Sequence, residues 1–138
     1  MGTYPNQKFE KSWMSQDITR EVVEWAESFG KYLSEDRNAL TTGQLRKFYG
    51  EVKRIEANPD NLSSKIVMLK PLLAYAVGRD KNAGGNKTKI KEFAEEMQKG
   101  VDAVLDGNEI DDIKARYNHF VKIFEAVVAY HKFYGKEK

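Results

Sequence analysis

The sequence predicts an all-α protein, a compact five-helix bundle, on three observations. Apolar residues recur at three- and four-residue spacing in five separate stretches. No stretch sustains the two-residue alternation of a half-buried strand, and polar or glycine-containing breaks separate one stretch from the next. A chain of 138 residues, 41% hydrophobic and 32% charged, is long enough to bury a core and too apolar to remain unfolded.

Residues 1–14 show no period and are expected to be extended or partly disordered, with Phe9, Trp13 and Met14 as possible anchors; residues 15–138 are expected to form a single helical domain. The first helix spans about Asp17 to Leu33, with Ile18, Val22, Trp25, Ala26, Phe29 and Leu33 on one face. Glu21, Glu24 and Glu27 occupy the other face, an acidic surface unsuited to nucleic acid. After the break Ser34 to Asn38, Thr41 and Gln44 stand at capping-box spacing and open a second helix that runs to about Ala57. Its buried face is Leu45, Phe48, Tyr49, Val52 and Ile55, and Asn58-Pro59-Asp60-Asn61 ends it. Arg46, Gly50, Lys53 and Arg54 share a different face. Glycine costs roughly 1 kcal/mol relative to alanine inside a helix, so Gly50 is expected to admit another backbone closely.

The third helix, Leu62 to Arg79, is expected to form the centre of the core. Ile66, Leu69, Leu73 and Ala76 make one stripe, and Val67, Met68, Leu72, Tyr75 and Val77 fill in most of the remaining circumference. Proline inside a straight helix costs about 3 kcal/mol, so Pro71 predicts a kink between Val67 and Lys70. The apolar run Pro71 to Val77 is far short of the roughly 20 residues that span a bilayer, which excludes a membrane span here. Asp80 to Asn86 reads as a loop. A fourth helix, about Thr88 to Leu105, buries Ile90, Phe93, Ala94, Met97, Val101 and Val104, with Gly100 as a weak point. Asn108 is the expected cap of a long last helix, with Glu109, Asp111 and Asp112 in its first turn. Ile110, Ile113, Tyr117, Phe120, Val121, Phe124, Val127 and Val128 carry its stripe towards Tyr134.

The formal net charge of +2 conceals a segregation of sign. Gln44 to Lys91 holds eleven basic residues against four acidic ones, while the rest of the chain holds twelve against seventeen. A basic middle with acidic flanks points to a negatively charged partner such as a phosphate backbone. Arg46, Lys53 and Arg54 on the second helix, with Arg79, Lys81, Lys87 and Lys89 around the loop, are the residues expected to touch phosphate. Such contacts give affinity without sequence information.

Little in the sequence supports catalysis. The absence of cysteine excludes disulfides, thiolate metal sites and cysteine nucleophiles, and is compatible with a reducing cytosol. The N-terminal MGTYPNQKFEKSWM lacks the apolar core of a signal peptide, so the expected location is the cytoplasm. His119 and His131 differ by about 120 degrees around one helix and cannot share a metal directly. His131 sits beside the buried stripe and reads as structural. Glu95-Glu96 and Asp111-Asp112 point about 100 degrees apart, wrong for a paired-carboxylate or two-metal site. Gly84-Gly85-Asn86-Lys87-Thr88 departs from a phosphate loop: Asn86 stands where glycine precedes the lysine, and a helix precedes where a strand belongs. No cofactor or metal is expected.

Two stretches, TTGQLRKFYGEVKRIE (Thr41 to Glu56) and LKPLLAYAVGR (Leu69 to Arg79), together resemble the small subunit of type III-A CRISPR effector complexes, the compact helical protein of the Csm family. The resemblance implies a prokaryotic, cytoplasmic, non-enzymatic subunit present in more than one copy per complex. Such subunits stack head to tail beside the backbone subunits that hold the guide RNA, and help to stabilise the guide-target duplex. RNA cleavage then belongs to the backbone subunits, and DNA cleavage and cyclic oligonucleotide synthesis to the large subunit. The partners implied are guide RNA, target RNA, the other Csm subunits and further copies of the chain, with no membrane. Two other readings stand beside it: a free-standing helical interaction module whose basic surface meets an acidic protein, and a small helical ribonuclease using Arg116 and His119. The two residues between that pair are fewer than the four to six usual in such ribonucleases.

Overall fold

Phe9, Trp13 and Met14, 5%, 3% and 0% exposed, lock the start of the chain into the core. A short 3-10 helix over Lys11–Ser15 carries the last two, in the segment expected to be extended or partly disordered. In this computed structural model, residues 8–82 and 88–135 are described; Lys81 and Asn82 are described by backbone only. Phe9 donates its backbone N–H to Glu96 Oε1 at 2.7 Å, and its ring meets Trp13 and Trp25 at 5.4 and 5.5 Å. Trp25 stacks in turn on Phe29 at 5.0 Å, so an aromatic row ties the N-terminal segment to the first helix.

The helices follow the sequence pattern with shifts at their ends. Helix α1 (Arg20–Ser34) starts three residues later than expected because Thr19 is its cap, accepting from the Val22 N–H at 3.3 Å. Helix α2 (Thr42–Ala57) has the expected capping box, with both reciprocal bonds between Thr41 and Gln44 at 3.0 Å. The turn after it closes on Asn61 in the left-handed region, which asparagine tolerates better than most residues. The kink falls where proline predicted it. Helix α3 (Leu62–Val67) and helix α4 (Leu69–Asn82) are two arms separated by Met68 alone, so the bundle has five rods. Pro71 is the third residue of α4, where its missing N–H would have been an orphan in any case. Helix α4 outlasts Arg79 by one turn, so the expected loop is shorter at its start, and positions 83 to 87 lie outside the described residues. Helices α5 (Ile90–Leu105) and α6 (Ile110–Tyr134) complete the fold, the latter capped at Glu109 rather than Asn108. No strand occurs among the described residues.

Helix α6 is the axis. Helix α1 lies parallel to it, with Asp17 Oδ1 4.0 Å from His119 Nε2 at one end and Ser34 packed by Gly135 at the other. Helix α2 runs antiparallel: Phe48 meets Phe124 edge-on at 5.2 Å, and Tyr117 Oη donates to the Val52 carbonyl at 2.7 Å. Helix α5 is antiparallel too, with Phe93 beside Phe124 and Arg116 donating to the Ala103 carbonyl at 2.8 Å. The C-termini of α1, α4 and α6 and the N-termini of α2 and α5 therefore gather at one end of the bundle.

Two expectations about packing are corrected. The α3–α4 rod is buried on one face only: Leu62, Ile66, Leu69 and Leu73 are 3% exposed or less, whereas Val67, Met68 and Tyr75 stand 44%, 62% and 62% exposed. No other described element covers its apolar outer face. Gly50 admits no backbone, since an added Cβ would meet nothing within 4 Å. The close approaches are elsewhere. At Gly30 a Cβ would lie 2.9 Å from backbone atoms of Val127 and His131, and at Gly100 it would lie 2.6 Å from the Phe120 ring.

Candidate nucleic-acid interface

The capping glutamine of α2 organises the basic end of the molecule. Gln44 Nε2 donates to Thr88 Oγ1 at 3.0 Å, and the Thr88 N–H donates to Asp80 Oδ2 at 3.1 Å. These two bonds hold the start of α2, the end of α4 and the start of α5 together. Arg46 and Lys47 follow Gln44 by less than a turn, Arg79 precedes Asp80, and Lys91 stands three residues beyond Thr88. All four side chains are exposed, and no described residue pairs with any of them. Four uncompensated cations thus share one end of the bundle.

The other expected contacts divide sharply. Lys53 is the middle of an ion triplet, with Nζ 2.7 Å from Glu125 Oε2 and 2.7 Å from Glu56 Oε1. Hydrogen bonds to Glu125 and then Glu56 hold its ammonium above the ordinary lysine range. Arg54 is 73% exposed and pairs with Glu51 one turn back. Surface pairs of this kind are worth about 0–1 kcal/mol each, so Arg54, the more exposed and held by one carboxylate, exchanges more readily than Lys53, held by two.

Lys89 is a correction. Expected at the phosphate surface, it is 2% exposed. Its ammonium donates to the carbonyls of Tyr32 and Glu35, lies 4.0 Å from the centre of the Tyr32 ring and is 3.6 Å from Asp36 Oδ2. Its backbone N–H donates to the Asn38 carbonyl at 2.9 Å. Lys89 therefore pins the α1–α2 connection to the start of α5. Burial and the nearby Glu92 carboxylate raise the Tyr32 hydroxyl above its usual pKa, which keeps that hydroxyl neutral. Lys87 and the side chain of Lys81 lie outside the described residues.

The histidines and the arginine of the ribonuclease reading serve the fold. His119 Nδ1 sits 2.8 Å from the Met14 carbonyl, and Arg116 bonds the Ala103 carbonyl and Asp112. His131 Nε2 sits 2.8 Å from the Leu40 carbonyl, in the structural role expected of it. Among the described residues, no group of three or more histidines and acids could hold a metal ion. No helix among them is long and apolar enough to cross a membrane.

Lys47 was not singled out from the sequence, and Lys91, a member of the basic cluster flanking the loop, was not among the residues expected to touch phosphate. The signal for Lys47 was its place about 20 degrees from Arg54 around α2, within the basic stretch that begins at Gln44. What could not be seen was which cations have acids folded against them.

A family model described as Csm2 Type III-A matches residues 16–137. The chain belongs to this family. It is the small subunit of the type III-A Csm complex, as the two sequence stretches implied. The Csm2 match spans every α-helix and begins one residue after the 3-10 helix, so the Phe9, Trp13 and Met14 anchor lies outside it. No curated protein and no solved structure matches the chain.

Proposed function

We propose that this Csm2 chain works without catalysis, in the cytoplasm, as a sequence-indifferent RNA-backbone contact that stabilises the guide-target duplex of the complex. Arg46, Lys47, Arg79 and Lys91 carry the contact, with Arg54 as an exchangeable member, and Lys81 and Lys87, near them in sequence, join them in the proposal. The observation that supports this most is that these four cations are uncompensated and share one end, whereas the neighbouring Lys53 is neutralised by two carboxylates. The counterions released on binding are those condensed on the RNA, and a paired lysine must leave its carboxylates before it can displace them, so unpaired cations contribute most. The partners are guide and target RNA, the backbone and large subunits, and copies of the chain stacked head to tail. Stacking in an open row needs two different surfaces on each copy.

Fluorescence anisotropy with labelled single-stranded RNAs of unrelated sequence tests the reading. The full chain binds all of them weakly and alike, and Arg79→Ala lowers affinity and reduces the slope of log K against log salt by about 0.7. Lys53→Ala leaves both unchanged. Equal behaviour of wild type and Arg79→Ala at every salt concentration would overturn the reading.

A further inference from the structure

Tyr75 is 62% exposed on the outer face of α4. Its hydroxyl has no partner among the described residues, and Arg79 stands one helical turn further along the same face. The facing edge of α2 follows from the groove between the two rods, which Glu51 and Ile55 line from one side and Met68, Pro71 and Leu72 from the other. The Gln44–Thr88–Asp80 bonds fix the register at the far end. Between these points, one turn beyond the Glu51 and Leu72 edge, the antiparallel helices bring Lys47 alongside the stretch containing Tyr75. An exposed phenol thus lies between two unpaired cations, Lys47 and Arg79.

From this arrangement we infer that Tyr75 is a stacking platform for a single unpaired nucleobase, held there while Lys47 and Arg79 take the adjoining phosphates. The inference rests on the reading that this end of the molecule meets RNA, and adds to it a contact with a base. The flanking charges decide the occupant. An apolar protein surface laid on Tyr75 would strip water from Arg79 and Lys47 without giving them an anion, whereas a nucleotide brings a π-face and a phosphate together. Stacking is blind to base identity because every base has a π-face, so the contact keeps the sequence indifference of the surface. The Val67, Met68 and Pro71 portion of the same face lies further from the cations and is not part of this site.

The test compares short labelled RNAs with abasic counterparts of the same length, on the full chain and its variants Tyr75→Phe, Tyr75→Ala and Arg79→Ala, each checked for helicity by circular dichroism. Tyr75→Ala is expected to weaken binding of base-bearing RNA about tenfold without changing the salt slope, and Tyr75→Phe to retain it. Abasic RNA should bind wild type as weakly as base-bearing RNA binds Tyr75→Ala, with no further loss in that variant. If Tyr75→Ala binds base-bearing RNA as tightly as wild type while Arg79→Ala still loses affinity, stacking is refuted and the backbone contact stands. If wild type binds no RNA, and Tyr75→Ala instead fails to co-purify with the other Csm subunits, the face is a protein contact and both readings fall.

Discussion

Single residues decide which charges and which close contacts matter. Arg46 and Lys53 lie on the same side of α2, yet one is free and the other is bound by Glu56 and Glu125. Sequence places cations on a face but does not show which acids from a distant helix will reach them; Glu125 is 72 residues away from Lys53. Lys89 shows the same limit in stronger form, since a lysine in a basic run gives no sign that two carbonyls and a ring await it in the interior. Glycines repeat the lesson. Gly50, surrounded by open space, is a helix-interior glycine with no packing reason, so Gly50→Ala is expected to stabilise the fold by roughly 0.5–1 kcal/mol. Gly30→Ala is expected to destabilise it by about 1–3 kcal/mol, because the new methyl must push back the α6 backbone. Urea denaturation of the two variants measures both, and equal shifts of the same sign would contradict this packing.

At the scale of elements, the helices were legible where local chemistry sets them. The Thr41–Gln44 capping box, the Pro71 break and the long apolar stripe of α6 are all encoded within a few residues of where they act. The burial of the α3–α4 rod was not, because an apolar helix is recognisable from sequence while the number of neighbours it will find is not. Its uncovered face is also informative in a subunit of a larger assembly, where exposed apolar surface marks contact sites. The N-terminal segment with its 3-10 helix lacks any period, and only Phe9, Trp13 and Met14 hinted that it is anchored. Trp13 is 3% exposed and packs against Phe9 and Trp25 at 5.4 and 5.3 Å. Trp13→Ala should therefore cost about 3–5 kcal/mol, seen as a lower urea midpoint, although it lies outside the region matched by the family. A loss below about 0.5 kcal/mol would mean that residues 8–15 are a dispensable strap.

Across the whole molecule, charge is sorted by end. The connection of α4 to α5 and the start of α2 are basic, whereas the opposite end carries Asp106, Glu109, Asp111 and Asp112 around the α5–α6 turn. The excess of basic residues between Gln44 and Lys91 was readable directly from the chain. Its concentration at one end came from the antiparallel placement of α2 against α4, which the sequence does not state. That placement gives the account its central claim: free cations at this end hold RNA backbone inside the complex, while the rest of the surface is left for protein contacts. Reconstituting the Csm complex with the fourfold variant Arg46→Ala, Lys47→Ala, Arg79→Ala, Lys91→Ala, and timing release of labelled target RNA across a salt series, tests it most directly. The account predicts a complex of unchanged subunit composition that releases target faster than wild type at low salt, with the difference vanishing as salt rises. Identical release from the two complexes at every salt concentration would contradict it.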